Sequence, residues 1–336
     1  MIGLWVGFIA FVLALLALDL GVFHRKAHVV GIREALTWVG VWVSLALLFS
    51  GFIYAAYYHE WFGLTLTVAK SAANPEGILQ GPAAAGPAFV QYLTGYVVEE
   101  SLSIDNMFVI AMIMAQFGVP AAVQHRLLYW GILGALVMRG VMIAAGYGLV
   151  QQLDWVLYVF GAFLVYTAVR MLVAKGPVDL KQNVLVRAVR KIMPVTEEFH
   201  GSQFMIRRDG KRWLTPLAVA LVAIESADVV FAVDSIPAIF GITRDPFLIF
   251  TSNVFAILGL RSLYFALAGV MEKFRYLKVS LSVLLAVIGV KMLLKHWLEA
   301  IPGLNYWTLG ITLLILAAGV LASLWRNRRR RVMSNE

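Results

Sequence analysis

Long apolar stretches, separated by short polar connections, occupy almost the whole chain of 336 residues. A membrane-spanning helix needs about 20 apolar residues. Nine stretches are close to or above that length, near residues 2–23, 36–58, 88–117, 127–150, 155–174, 214–242, 247–270, 279–296 and 306–325. The pattern therefore predicts an all-α polytopic membrane protein with about nine transmembrane helices.

The composition supports a membrane protein and excludes several classes of site. Hydrophobic residues make up 61% of the chain and charged residues 14%, whereas soluble proteins average about 45–50% apolar and about 25% charged residues. The sequence contains no cysteine, which excludes disulfides, thiolate zinc sites and iron–sulfur clusters. We find no nucleophile–histidine arrangement and no phosphate-binding loop, so we expect neither an enzyme nor an organic cofactor.

Basic residues mark one side of the predicted membrane topology. Nine Lys and Arg residues lie between Lys175 and Arg212, and five more follow Trp325, whereas the outside connections contain only Lys70 and Arg244. By the positive-inside rule, the N-terminus is expected outside and the C-terminus in the cytoplasm, with the chain in the inner (plasma) membrane. The net charge of +9 therefore indicates membrane lipid, not nucleic acid, as the partner of the basic loops.

We interpret the chain as a single transmembrane domain. It consists of two peripheral spans and an outside loop (1–87), a first repeat (88–174), a basic cytoplasmic loop (175–213), a second repeat (214–296), and a last span with a basic tail (306–336). Pro87 is expected to open the helix that follows the outside loop. In the cytoplasmic loop, residues 184–193 are either a short amphipathic helix on lipid headgroups or disordered.

Two predicted spans contain acidic residues, where charge is costly. The third span carries Glu99, Glu100 and Asp105, and the sixth carries Glu225, Asp228 and Asp234. A carboxylate at the bilayer centre costs about 2.5–3.5 kcal/mol on a lenient insertion scale, so such acids are candidate functional residues. Only Arg139 and Arg261 stand near mid-span to offset them, which leaves an excess of four negative charges for cations or protons to neutralise. Two alternatives to a cation site are a salt-bridge network that braces the bundle and a proton relay.

The two acidic segments also resemble each other. Glu99 and Asp105 are six residues apart, as are Asp228 and Asp234, and an arginine follows in the next span of each half. Another register pairs Glu100 with Glu225. Spans 3–5 and 6–8 are offset by three helices, so the second copy would cross the membrane in the opposite direction. We therefore predict two inverted-topology three-helix repeats, an architecture that places ion sites near the midplane; chance similarity between apolar helices is the alternative.

The polar side chains of these segments form a hard oxygen donor set. Carboxylates, a carboxamide and a hydroxyl suit Mn²⁺, Mg²⁺ or Ca²⁺, whereas Zn²⁺ and Cu⁺ prefer imidazole and sulfur. The candidate metal-handling residues are Glu99, Glu100, Asp105, Asn106, Glu225, Asp228, Asp234 and Ser235. The candidates for counter-charge or gating are Asp19, Arg139 and Arg261. Asp19 either forms an entry gate with the bases at 24–26 or simply pairs with nearby bases at a helix end.

Over nearly the whole chain the sequence resembles the TerC family of integral membrane proteins, including its Alx type. The segments that carry the resemblance are EESLSIDN, ESADVVFAVDSIPA, GLRSLYF and DLGVFHRKAH. The resemblance implies export of Mn²⁺ from the cytoplasm. It also implies an association of some members with tellurium resistance or with the supply of metal to exported proteins. The eight candidate metal-handling residues match the two acidic motifs of the family.

The sequence therefore supports the hypothesis of a secondary transporter whose substrate is Mn²⁺, exported in exchange for protons. Ca²⁺ and Mg²⁺ accept the same ligands and are not distinguished. The alternatives are a membrane factor that assists the assembly or metal loading of exported proteins, with the secretion machinery as its partner, and a tellurium-resistance-associated membrane protein. The sequence does not determine the oligomeric state.

Overall fold

A computed structural model describes residues 2–19, 31–68, 77–153, 155–173, 184–208, 210–267, 277–298 and 303–333. Within these ranges nine helices have at least 17 residues: α1 (Ile2–Leu18), α2 (Ile32–Tyr58), α3 (Pro82–Gln116), α4 (Ala121–Gln152), α5 (Val156–Val173), α7 (Pro216–Phe240), α8 (Pro246–Leu267), α9 (Leu277–Leu293) and α11 (Leu304–Met333). Two shorter helices are α6 (Val184–Ile192) and α10 (Lys295–Leu298). Each of the nine long helices overlaps one predicted span.

The helices confirm an all-α polytopic membrane protein. Six of them, α2, α4, α5, α7, α8 and α11, are long and apolar enough to cross a membrane, and α1 is a shorter apolar helix. The acid-bearing α3 and the 17-residue α9 are not among the six. The finer prediction of nine crossings in two inverted repeats therefore stays a prediction.

Two small antiparallel strand pairs lie in the connections between helices. Strand β1 (Leu66–Thr67) pairs with β2 (Ile78–Leu79) in the predicted outside loop, whose residues 69–76 lie outside the described part of the chain. Strands β3 (Met205–Arg208) and β4 (Lys211–Leu214) form a hairpin that the sequence pattern did not predict. The hairpin leads directly into α7, where the Thr215 hydroxyl accepts a hydrogen bond from the amide of Ala218 and caps the helix.

Two predictions about helix boundaries have opposite outcomes. The prediction that Pro87 opens a helix is wrong, because α3 begins one turn earlier at Pro82, after Gly81. Gly81 has a φ of +53°, a conformation that costs glycine little, and Pro82 is in the first turn, where a missing amide hydrogen is harmless. Residues 184–192 of the cytoplasmic loop do form a helix, α6, which packs against α7. Its predicted contact with lipid stays a prediction.

The helices pack around α8, whose side chains are almost all buried. Helix α8 contacts α2, α3 and α4, and α3 also contacts α7 and α11. On another side of the bundle, α5 packs along α9. The two backbones meet at Gly161 and Gly289, since a Cβ on Gly161 would lie 2.9 Å from the carbonyl oxygen of Gly289 and one on Gly289 would lie 2.7 Å from that of Gly161. Small residues of this kind let membrane helices approach closely.

Candidate functional site

The acidic residues lie in the middle of α3 and α7, which pack against each other inside the bundle. Both helices are apolar over most of their length, so they enter the hydrophobic interior and bring their few polar side chains with them. Helix α4 packs on α7 and α8, and helix α5 packs on α7. The acids of α3 and α7 are therefore within reach of side chains from three other helices, α4, α5 and α8.

Arg139 of α4 is the centre of a buried polar network. Its guanidinium donates to the carboxylate of Glu99, and its Nη2 lies 3.2 Å from Oδ1 of Asp228. Nη1 also donates to Oγ of Ser235 at 3.2 Å and to Oδ1 of Asn253 at 3.0 Å. These four partners come from α3, α7 and α8, so one arginine joins four helices when its own is counted. Arg139 is 2% exposed, so water contributes little to the network.

One positive charge in this network faces two negative charges. Arg139 can satisfy one oxygen of Glu99 and both oxygens of Asp228, but Oε2 of Glu99 is buried without a hydrogen-bond partner. Oε2 of Glu100, the next residue of α3, is likewise buried without a partner. A buried carboxylate oxygen that lacks a partner is costly, so these positions favour a proton or a cation.

Asp105 and Asp234 lie apart from the Arg139 network and line a cavity of about 190 Å³ between α3, α5 and α7. Asn106 of α3 and Arg170 of α5 line the same cavity. The hydroxyl of Thr167 donates to Oδ1 of Asp234 at 3.1 Å and also faces this space. One carboxylate from each predicted repeat therefore meets neutral oxygen donors and one arginine around a common volume.

The remaining two acids lie elsewhere in the helix contacts. The carboxylate of Glu225 occupies the space beside Gly134 of α4 that an added Cβ would take. A side chain at position 134 would therefore displace Glu225. Glu100 lies close to Gly259 of α8, with 3.8 Å between Oε1 and the position a Cβ would take. Glycines on the facing helices thus make room for both acids.

Arg261 of α8 has different partners from Arg139. Its guanidinium donates to Asp19 at the end of α1, and its Nη1 lies 3.2 Å from Nε2 of His125 in α4. Asp19 and Arg261 are both buried. The Asp19 carboxylate is thus paired with a base distant in sequence, while residues 24–26, the proposed partners in an entry gate, lie outside the described residues. The charge count from the sequence assumed that Arg261 offsets the central acids. Arg261 pairs with Asp19 instead.

The eight predicted metal-handling residues thus fall into three groups. Glu99, Asp228 and Ser235 surround Arg139; Asp105, Asn106 and Asp234 line the cavity; Glu100 and Glu225 pack beside glycines. Among the described residues, no group of three or more His, Cys, Asp or Glu side chains is close enough together to hold a metal ion. A metal held in the cavity would therefore need neutral oxygen ligands as well as the two carboxylates.

Two polar residues of the site were missed by reasoning from the sequence. Asn253 follows Thr251 and Ser252 in α8 and bonds Arg139, and its position in an otherwise apolar span was the available signal. Thr167 lies three residues before Arg170 in α5, a spacing that puts both on one helix face. Arg170 lies in the last turn of α5 and lines the cavity.

A family model described as Integral membrane protein TerC family matches residues 84–331 of the chain. The matched region contains α3 to α9, and so both acidic segments, Arg139 and the cavity. No solved structure is significantly similar to the chain.

Curated relatives cover almost the whole sequence. The chain is 44% identical to "Uncharacterized membrane protein STKORF319" of Myxococcus xanthus, over 97% of this chain and 93% of the relative. It is 42% identical to "Putative membrane-bound redox modulator Alx" of Escherichia coli, over 97% of this chain and 95% of the relative. The same description is given to a relative from Salmonella typhi, which is 40% identical over 97% of this chain and 95% of the relative.

Proposed function

The chain belongs to the TerC family of integral membrane proteins, and on that premise we propose that it is a secondary transporter that exports Mn²⁺ from the cytoplasm in exchange for protons. The observation that carries the proposal is the cavity between α3, α5 and α7, where Asp105 and Asp234 face a common volume. A pair of carboxylates inside a membrane bundle is expensive unless a cation or a proton uses it.

The donors around this cavity are suited to a hard divalent ion. The carboxylates of Asp105 and Asp234 supply negative charge, and Asn106 and Thr167 supply neutral oxygens. Mn²⁺, Mg²⁺ and Ca²⁺ bind such oxygen sets, with water completing the coordination shell. Arg170 lines the same cavity, and its single charge would offset one of the two carboxylates, which leaves the other to take up a proton when the ion departs.

The Arg139 network has a different role in this proposal. Its arginine already pairs with Glu99 and Asp228 and joins α3, α4, α7 and α8, so the network holds the carrier helices in register. The unpartnered oxygens of Glu99 and Glu100 lie on the same helix as Asp105. They supply further positions for a proton or cation along α3.

The packing of the helices supports two inverted repeats. The equivalent helices of the predicted repeats contact each other in each of three pairs, α3 with α7, α4 with α8, and α5 with α9. The cross-pairs α3 with α8 and α4 with α7 are also both in contact. This reciprocal pattern is the one expected for two halves related by a pseudo-two-fold axis, with an ion site between them.

Proton exchange follows from electrostatics. Moving a divalent ion outward against an inside-negative potential costs about 4.6 kcal/mol per 100 mV, twice the single-charge value. Asp105 and Asp234 would repel each other and lose solvation when the metal leaves, so proton uptake would accompany metal release. Inward movement of those protons would offset the cost of export.

The Alx relatives are described as putative membrane-bound redox modulators. This chain has no cysteine, so thiol–disulfide chemistry by its own side chains is not available. A change in the cellular redox state could follow from metal export, because Mn²⁺ and other transition metals take part in redox reactions. We therefore keep metal export as the proposed function of this chain.

The test is Mn²⁺ flux into or out of liposomes that contain the purified protein. We compare the wild type with D105N and D234N, which keep side-chain size and remove one charge each, and with E198Q, a matched acid-to-amide change at an exposed position outside the spans. Ca²⁺ and Mg²⁺ are tested as rival substrates, and each flux is measured with and without a pH gradient.

We expect D105N and D234N each to reduce Mn²⁺ flux at least about tenfold, since each removes a charged ligand worth about 1.5–3 kcal/mol. E198Q should leave flux at the wild-type value. Wild-type protein that is folded but carries none of the three metals would contradict the transporter proposal and favour the assembly or metal-loading alternative. A flux that ignores the pH gradient would contradict proton exchange alone.

A further inference from the structure

A second and larger cavity, of about 440 Å³, lies at the end of the bundle where α3, α5, α8 and α11 begin. It is separate from the cavity of Asp105 and Asp234, with which it shares no lining residue. Helices α7 and α9 end beside it, and the connection between α7 and α8 forms one of its walls. In the proposed topology this is the extracytoplasmic end of the protein.

Three cationic side chains line this cavity: Arg244, Lys291 and Lys295. Among the described residues that line the cavity, none is an aspartate or a glutamate. The cations come from the α7–α8 connection, α9 and α10, so the fold brings them together from separate segments. The proposed topology places them on the side where basic residues are scarce, so the positive-inside rule does not account for them.

Neutral groups complete a site for an oxyanion. The α11 helix begins at Leu304, and the amides of Tyr306 and Trp307 already donate to the carbonyl of Gly303, so the amides of Leu304 and Asn305 are the ones that a helix start offers to an anion. Asn305 and Thr243 add polar side chains to the lining. Leu157, Phe240 and Met292 add apolar side chains, which would tolerate an attached organic group.

Gln91 of α3 indicates which kinds of anion the cavity can bind. Its side chain lines the cavity, the residue is 4% exposed, and its Oε1 is buried without a hydrogen-bond partner. A carboxamide oxygen accepts hydrogen bonds, so the ligand it fits presents a hydroxyl group as well as negative oxygens. A phosphate group satisfies both requirements, either as hydrogen phosphate or as a phosphodiester that carries a glycerol hydroxyl.

We propose that this cavity, hereafter the basic vestibule, binds a phosphate-class oxyanion through Arg244, Lys291, Lys295 and the start of α11, with Gln91 accepting a hydroxyl of the ligand. The chemistry is shared by two sources, free phosphate and the headgroup of an anionic lipid such as phosphatidylglycerol. Basic pockets between transmembrane helices hold anionic lipid headgroups on the cytoplasmic side of membrane proteins, and we propose the same chemistry at the opposite end of this bundle. The site is independent of metal export and does not rest on the proposed function.

The test uses the full-length purified protein and two probes. Inorganic phosphate binding is measured by calorimetry in a neutral detergent. Retention of phosphatidylglycerol is measured by native mass spectrometry after purification from nanodiscs that contain phosphatidylglycerol and phosphatidylcholine. The variant K291Q/K295Q removes two cations of the basic vestibule, and Q91L removes the acceptor. The control K211Q/R212Q removes two exposed cations of the β3–β4 hairpin.

We expect K291Q/K295Q to weaken whichever probe binds by at least about tenfold, because it removes two charge-assisted hydrogen bonds to the ligand. Q91L should weaken it less, and K211Q/R212Q should leave it unchanged.

Loss of phosphate binding identifies a soluble oxyanion as the source, and loss of retained phosphatidylglycerol identifies the lipid. The proposal is overturned if the wild type binds neither probe or if K211Q/R212Q weakens binding as much as K291Q/K295Q. If K291Q/K295Q fails to fold, the single variant K295E replaces it. Weaker binding by K295E than by K211Q/R212Q supports the proposal, and equal binding overturns it.

Discussion

Arg139 and Arg261 stand at corresponding positions of the two predicted repeats, yet they are used differently. Arg139 is surrounded by Glu99, Asp228, Ser235 and Asn253 in the interior of the bundle. Arg261 pairs with Asp19 and lies beside His125, where α1 ends. Two arginines that the sequence presents as equivalents therefore have opposite tasks: one binds the acid-bearing helices to one another, and the other fastens a peripheral helix to the bundle.

The difference shows how a near-symmetric architecture becomes functionally asymmetric. Four of the six acids of α3 and α7 lie around Arg139 or line the cavity of Asp105 and Asp234, and the second arginine contributes to neither place. Arg170, from α5, takes the place of a second central cation because it lines that cavity. The charge around the cavity therefore depends on which basic side chain reaches it and not on which basic residues lie near mid-span.

The largest effect is expected for R139Q. The substitution leaves Glu99 and Asp228 buried without their arginine, and breaking a buried ion pair from one side costs about 3–5 kcal/mol. We expect a loss of that size in the free energy of unfolding, measured by denaturant titration of the protein in mixed micelles. The control is R126Q, on the same helix α4, whose arginine is exposed and donates to Ser202. Equal stability of R139Q and R126Q would show that the network does not brace the bundle.

A smaller loss, of about 2 kcal/mol, is expected for R261Q, because one charge-assisted contact with Asp19 is removed at a helix end. A double-mutant cycle with D19N isolates this pair from other effects of either change. We expect the double variant to lose clearly less stability than the sum of the two single variants. Strict additivity would mean that Asp19 and Arg261 do not stabilise each other, and the contrast between the two arginines would then fail.

The smallest effect concerns Asp245, a buried acid in the α7–α8 connection that is held by neutral donors. Its oxygens accept from the hydroxyl of Tyr57 at 2.8 Å and from the amides of Phe247 and Leu248 at 2.9 and 3.2 Å. Burial raises the pKa of Asp245 above 3.8, and these hydrogen bonds only partly oppose the shift. The folded protein thus binds this proton more tightly than the unfolded chain does.

The sign of the pH dependence follows from that raised pKa. The contribution of Asp245 to stability is fully present below pH 3.8 and is lost as the pH rises through the raised pKa. We expect D245N, which cannot ionise but still caps α8, to flatten this part of the stability curve, measured as melting temperature against pH. Y57F removes one hydrogen bond and should cost about 1 kcal/mol. An identical slope in wild type and D245N would contradict the assignment.

Much of the architecture was predictable from the order of apolar and polar residues. A run of apolar residues long enough to cross a bilayer must satisfy its own backbone hydrogen bonds, and a helix does so within the segment. Each predicted span accordingly overlaps a helix. For residues 184–193 the sequence allowed either an amphipathic helix or disorder, and the structure forms the helix α6 there. The start of α3 at Pro82 and the β3–β4 hairpin were not predicted, since both depend on turns in connections that carry no periodic signal.

The sequence by itself determined which residues cost free energy in the membrane. These are the acids and arginines in the apolar spans, because a charge in the bilayer interior needs a partner of opposite charge or a proton. Only the tertiary structure decided the partners. Asn253 and Thr167 join the site, Arg170 replaces Arg261, and Arg244 meets Lys291 and Lys295 in the basic vestibule. The physical reason is that side-chain chemistry is local, whereas charge compensation depends on helix packing, which brings together residues that are distant in the sequence.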